Sequence, residues 1–217
     1  MNCIVTAGPT FEPLDDVRRL TNFSTGRLGT ELANFLVARG HKVILLIGEM
    51  STFPGERKAQ RVEHFSTAAD LNEKFKALSG KKADAIFHAA AVGDFSFGRI
   101  FEPGDAGKLS EIKGAKKIST RQGKLLAELL PAPKIISGLH GLFPRTMITG
   151  WKFEADGKRT DALAAGQKQL TECSTDFCVV NGPAYGEGFG LISKTGAPAH
   201  FANPPLLFDT LEKLLWR

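Results

Sequence analysis

Apolar residues along this chain fall into short continuous runs, and the runs alternate with amphipathic stretches. Five runs bounded by Gly, Pro or polar turns predict buried strands, at residues 3–7, 42–47, 85–91, 147–153 and 177–180. Between them the apolar spacing lengthens to that of a helix. Leu28, Leu32, Phe35 and Leu36 share one face of a predicted helix over 28–39, which Gly40 stops. A second helix over 68–78 follows a candidate cap at Ser66-Thr67 and buries Leu71, Phe75 and Leu78. Two more are predicted over 133–143 and 161–170, and a last one begins at Pro204-Pro205. Strands without internal alternation, interleaved with helices, predict an α/β protein. The expected architecture is a Rossmann-like, doubly wound, mostly parallel sheet covered on both faces.

Two segments break the alternation. Residues 93–117 are rich in Gly and charge and show no convincing period; a connection of that length is a functional flap or a disordered loop. Residues 188–192 and 197–202 flank Lys194-Thr195-Gly196 and predict a small C-terminal β-hairpin. With no internal repeat and no low-complexity linker, one domain over 1–217 is expected, carrying the flap at about 93–117 and the hairpin at about 188–202.

Composition narrows the function classes. The chain has 217 residues, 42% apolar and 24% charged, enough to bury a full core. Lys and Arg outnumber Asp and Glu, 28 to 23, but are scattered apart from short clusters at Arg57-Lys58 and 113–117. That field favours a small anionic substrate over nucleic acid. Cys3, Cys173 and Cys178 form no metal-ligand spacing, and an odd number of free thiols points to a reducing compartment. The N-terminus lacks the pattern of a signal peptide, and no run is long enough to span a membrane. A cytoplasmic protein with no membrane association is expected.

The chemistry concentrates at the end of the first predicted strand. Thr6-Ala7-Gly8-Pro9-Thr10 places a glycine where the backbone must turn or approach a ligand. The excursion from Phe11 to Thr21 is too long for the tight turn of a dinucleotide fold. Asn22-Phe23-Ser24-Thr25-Gly26-Arg27-Leu28-Gly29 then opens the first helix, a natural anion site; equally, Ser24 or Thr25 simply caps the helix and Gly29 lets it pack on the sheet.

Taken together, Thr6-Ala7-Gly8-Pro9-Thr10-Phe11-Glu12-Pro13-Leu14, Val17-Arg18 and Asn22-Phe23-Ser24-Thr25-Gly26 resemble the signature of the phosphopantothenoylcysteine synthetase family. Ala89-Ala90-Ala91-Val92-Gly93-Asp94 is similar to that family's Ala-Ala-Val-x-Asp motif, and Lys117-Ile118-Ser119 to its Lys-Ile-x motif. Gly150-Trp151-Lys152-Phe153-Glu154 resembles its Gly-Phe-x-x-Glu segment, and Val180-Asn181 its late strand end. The resemblance implies a ligase that activates 4′-phosphopantothenate with CTP or ATP, and with Mg²⁺, as an acyl-nucleotidylate and joins it to cysteine.

It further implies that Asn22 holds the substrate carbonyl, although an Asx turn explains that residue equally well. Arg18 would reach substrate across a homodimer interface, and Ala90, Ala91 and Asp94 would contact phosphopantothenate. Gly8, Ser24, Gly26 and Gly29 would line the phosphates, with Trp151, Lys168 and Asn181 near the nucleotide. The flap lysine is Lys117, with Lys116 as the adjacent candidate. Glu172 or Cys173 stands where bacterial members carry a second helix lysine, which leaves CTP and ATP both open. The chain begins at the synthetase strand, so no flavin is expected.

Two alternatives remain. A reductase of the extended NAD(P) type would need a Tyr and a Lys four residues apart, but Tyr185 is the lone tyrosine and Phe189 follows it at that spacing. A non-catalytic nucleotide-binding homologue is the other.

Overall fold

The computed structural model describes residues 1–104, 107–113, 117–119 and 123–216. Its centre is an eight-stranded sheet. In chain order the strands are β1 (Asn2–Ala7), β4 (Lys42–Gly48), β5 (Arg61–Phe65), β6 (Ala85–His88), β10 (Met147–Phe153), β11 (Phe177–Asn181), β12 (Phe189–Ser193) and β13 (Ala199–Phe201). The spatial order is β13-β12-β11-β10-β6-β1-β4-β5. The six strands from β5 to β11 pair in parallel, and β12 and β13 add an antiparallel pair at one edge. The doubly wound sheet and the terminal hairpin therefore stand as expected. Strand order reverses between β1 and β6, the position at which such sheets open a crevice at their carboxyl edge.

Both faces are covered. Cys3, Val5 and Ala7 of β1 point to one layer, against α1 (Arg27–Ala38) and α5 (Pro204–Lys213). Ile4, with Leu46, Ile86 and Ile148, points to the other, against α2 (Ala68–Leu78) and α3 (Ile135–Leu142). On that second face α4 (Arg159–Glu172) covers Cys178, Val180 and Ile192. Burial pushes the thiols of Cys3 and Cys178 up to about 12, so both behave as small apolar side chains. Thr67 caps α2, accepting from the Asp70 N–H at 3.1 Å, and Asn203 caps α5.

The segment expected to lack a period is the main correction. A nine-residue strand, β7 (Phe95–Pro103), pairs antiparallel with β8 (Leu109–Glu111) and β9 (Leu126–Pro131) to form a separate three-stranded sheet. A bulge between Phe97 and Ile100 inserts one extra residue against β9 and breaks the alternation that would have marked the strand. Two further elements went unforeseen. The excursion after β1 is a hairpin of β2 (Phe11–Pro13) and β3 (Arg19–Thr21). The edge strand β5 carries Arg61, Glu63 and His64, polar residues that protect a sheet edge and hide its strand character.

Candidate active site

The two most distinctive motifs of the sequence are laced together by hydrogen bonds. Strand β6 ends at His88, and residues 89–93 continue past the carboxyl edge of the sheet. Thr6 Oγ1 accepts from the Ala90 N–H at 2.9 Å, and the Gly8 carbonyl accepts from the Ala91 N–H at 2.9 Å. The Ala91 carbonyl accepts from the Thr10 N–H at 3.1 Å and from Asn22 Nδ2 at 2.8 Å. Thr10 Oγ1 accepts from the Gly93 N–H at 2.8 Å. Both threonines are buried, so each hydroxyl serves a backbone donor that water cannot reach. Asn22 also accepts from the Ser24 N–H at 3.2 Å, the Asx turn that was the alternative reading of this residue. One amide hydrogen and one lone pair of Asn22 remain uncommitted.

Helix α1 begins beside this lacing. Its N-cap is Gly26, in the left-handed conformation at φ 81°, and no side chain caps the helix; Thr25 Oγ1 accepts from the Arg27 N–H at 3.3 Å instead. The first turn carries no acidic residue. An uncapped N-terminus of this kind is an anion site. A side chain on Gly29 would begin 2.7 Å from the Thr6 carbonyl oxygen, so glycine is required for α1 to lie this close to β1.

A pocket of about 1110 Å³ opens along this edge. Asn22, Ser24, Gly26 and Gly29 form one wall, and Ala90, Ala91 and Asp94 form the floor. Trp151 and Asn181 arrive from the ends of β10 and β11, and Lys168 from α4. Gly8 is not in the wall; it lies beneath it, where a side chain would collide with Ser51. The wall's charges are largely paired: Arg27 with Glu31, Lys152 with Glu154, and Lys168 with Glu172. Among the described residues, Asp94 of the floor and the lining Lys134 have no ion-pair partner. The indole N–H of Trp151 is buried without a hydrogen bond.

Arg18 and Lys117 do not join this wall. Arg18 instead closes a clasp between the β2–β3 hairpin and the far end of the flap. Its guanidinium holds Asp15 at 2.5 Å and donates to the Ile118 carbonyl at 2.7 Å, while the Ile118 N–H donates to Asp15 at 3.1 Å. The Asp15 side chain is 1% exposed and Ile118 is 4% exposed. The Arg18 guanidinium, followed by backbone N–H groups, holds the Asp15 carboxyl well below the usual carboxylate range. Lys117, next to this clasp, is exposed. Lys116 lies outside the described residues.

Sequence reasoning missed His88 and Lys134. His88 closes an apolar strand and is 6% exposed, so it read as core; no spacing signal marked it. It lines the pocket floor, and burial pushes its pKa down from 6.5 to about 4. Between those values the unfolded chain binds a proton that the folded chain does not, so stability is full above pH 6.5 and falls as pH drops towards 4. The loss from about pH 7.5 to about pH 4.5 is on the order of 2 to 3 kcal/mol. Urea midpoints at both pH values should show a smaller acid loss, by about that amount, in His88→Gln than in the wild type; equal losses would contradict a neutral buried imidazole.

Tyr185 is 3% exposed and lies away from the pocket, bonded to Arg159 at 2.6 Å and to His200 at 2.9 Å. Its hydroxyl is engaged there rather than offered to the pocket, so Tyr185 does not supply the proton relay such a reductase would need.

A crossover crevice with an uncapped helix N-terminus and a laced strand end defines a small-ligand site of the Rossmann-like α/β class. Residues 1–197 match the family described as the DNA/pantothenate metabolism flavoprotein C-terminal domain, and the chain belongs to that family. The chain is 31% identical over 180 residues to the coenzyme A biosynthesis bifunctional protein CoaBC of Thermococcus kodakarensis, covering 82% of this chain and 40% of that protein. It is 29% identical to the Bacillus subtilis CoaBC, covering 86% of this chain and 42% of the relative. It thus spans less than half the length of these curated relatives. Among solved structures, the DNA/pantothenate metabolism flavoprotein from Streptococcus pneumoniae superposes with a TM-score of 0.85 at 20% identity, covering 100% of this chain and 98% of that one. A Cab2 mutant in complex with phosphopantothenate-cysteine has a TM-score of 0.74 at 19% identity, covering 99% and 86%. Among the described residues no helix is long and apolar enough to cross a membrane.

Proposed function

We propose that this chain is a phosphopantothenate–cysteine ligase. The observation that carries the reading is the lacing of Thr6, Gly8, Thr10 and Asn22 to residues 90–93, which builds one wall from the two motifs most specific to that chemistry. The substrate carboxylate attacks the α-phosphorus of CTP or ATP, and pyrophosphate leaves. The amine of cysteine then attacks the acyl carbon, and the nucleoside monophosphate leaves with the bond electrons. Both steps build negative charge on oxygen, which fixed donors stabilise.

Asn22 offers its remaining N–H to the acyl oxygen, and the open N-terminus of α1 with Ser24, Gly26 and Gly29 faces the phosphates. Trp151, Lys168 and Asn181 flank the nucleoside, and Ala90, Ala91 and Asp94 face phosphopantothenate. A Mg²⁺ ion would be held mainly by the triphosphate and water. That ion would neutralise phosphate charge, and Asp94 is the pocket carboxylate without an ion-pair partner that could approach it. No step requires a flavin.

A homodimer completes the reading. Val17 and Leu20 on the β2–β3 hairpin, with Phe95, Leu129 and Leu130 on the three-stranded sheet, are all exposed, and β2 contacts β7. An apolar surface of this kind suits a second copy. Arg18 and Lys117, placed outside their own pocket, would then serve the partner's. The proposed setting is the cytoplasm.

The test is an incubation of protein with Mg²⁺, phosphopantothenate, cysteine and either CTP or ATP. Phosphopantothenoylcysteine and pyrophosphate should form in equal amounts with at least one nucleotide. Nucleotide binding without product from either would favour a non-catalytic homologue.

A further inference from the structure

Thr6, His88 and Ala90 form a hydrogen-bond chain under the pocket floor. Thr6 is fully buried; its hydroxyl accepts from the Ala90 N–H at 2.9 Å and lies 3.0 Å from His88 Nδ1. The hydroxyl proton has no other acceptor among the described contacts, so a satisfied Thr6 donates to Nδ1. This pattern assigns His88 as the Nε2–H tautomer. Nε2 itself makes no hydrogen bond within the described chain and is not sealed from solvent, so it opens to the pocket that the residue lines. The ring of Phe75 packs edge-on at 5.7 Å and holds the imidazole in place.

Position narrows what this donor meets. His88 stands opposite Gly150 in the β6–β10 register and shares its face, while Trp151, the next residue of β10, packs on the other face with α1. A side chain on Gly150 would begin 2.6 Å from Gln169 of α4 and 2.6 Å from Ile136 of α3, so His88 faces the corner that α3 and α4 enclose. Lys168, also on α4, lines the same pocket. The open end of α1, where phosphates are favoured, belongs to the opposite face of the sheet. A single donor set apart from the N–H array at α1 is left to the base or ribose rather than the phosphates.

We infer that His88 donates its Nε2–H to an uncharged acceptor on the base or ribose of the nucleoside triphosphate, as a specificity-determining residue held in that tautomer by Thr6. The inference rests on the ligase reading. At that point a donor-only group donates to an oxygen or an unprotonated nitrogen and is mismatched with an N–H.

The test combines ¹⁵N NMR of the histidine rings with calorimetric binding of Mg²⁺–CTP and Mg²⁺–ATP. In the wild type, His88 should show the neutral Nε2–H tautomer across about pH 6 to 8, and the nucleotide should move its Nε2 resonance while leaving Nδ1 nearly still. His88→Ala should weaken nucleotide binding about tenfold, and His88→Gln, which restores an N–H, should recover part of the loss. Thr6→Val keeps the ring, and should populate the other tautomer and weaken binding about threefold. It serves also where His88→Ala fails to fold. In His88→Gln, KM for cysteine should stay unchanged.

An Nδ1–H tautomer in the wild type would overturn the inference. So would an unmoved His88 resonance in a protein that still releases pyrophosphate, or a rise in the KM of cysteine alone. Absence of pyrophosphate release in the wild type would instead remove the ligase reading, and the resonance shift on nucleotide addition would still report on His88.

Discussion

Asn22→Asp is expected to lower phosphopantothenoylcysteine formation by about 10²- to 10³-fold while nucleotide affinity stays nearly unchanged. In the free protein Asn22 spends one N–H on the Ala91 carbonyl and one lone pair on the Ser24 N–H, leaving one donor and one acceptor for substrate. A carboxylate keeps the acceptors and loses both donors, and it faces the Ala91 carbonyl oxygen with like partial charge. The Thr10 N–H still holds that carbonyl at 3.1 Å, so the wall survives the change. The loss therefore falls on the step in which charge builds on the acyl oxygen. Steady-state product formation beside calorimetric nucleotide binding separates the two quantities. Undiminished product formation would remove Asn22 from the reacting centre.

The second large effect belongs to the clasp. Asp15→Ala and Arg18→Ala should each lower kcat/KM by about 10²-fold, the scale of a misplaced catalytic element. Asp15 binds Arg18 at 2.5 Å and the Ile118 N–H at 3.1 Å, and so joins the hairpin to the residue after Lys117. Removing either partner releases the flap end, and the double variant should be no worse than Arg18→Ala. Residues acting through one contact are non-additive. A double-mutant cycle in kcat/KM checks this; losses that simply multiply would mean that Asp15 and Arg18 act separately.

Much of this arrangement was legible from the chain alone, for reasons that differ by element. The strands β1, β4, β6, β10 and β11 are buried on both faces, so their apolar runs were continuous and stood out. Helices α1 and α2 carried apolar stripes and clear stops or caps. The sheet of β7, β8 and β9 was hidden because its bulge at Phe97–Ile100 spoils the two-residue period, and because its pairing with β9 is remote in sequence. The polar edge strand β5 was hidden by the charge that protects it. At the site, the resemblance marked Thr6 to Thr10 and Ala89 to Asp94 separately; only the hydrogen bonds of Thr6, Thr10 and Asn22 explain why the two occur together. His88 carried no signal, since a histidine at the end of an apolar strand reads as core until its open Nε2 is seen. Arg18 was assigned to substrate, and the structure adds a role that spacing cannot express: it reaches Ile118, a hundred positions away, through a contact that exists only after folding.

The central claim is that the pocket converts a carboxylate to an acyl-nucleotidylate before the amine arrives. The most direct measurement is rapid-quench pyrophosphate release with phosphopantothenate, Mg²⁺ and nucleotide present but cysteine omitted. The expected result is a burst of about one pyrophosphate per site, followed by near-arrest until cysteine is added. Absence of any burst, with release only once cysteine is present, would contradict the account.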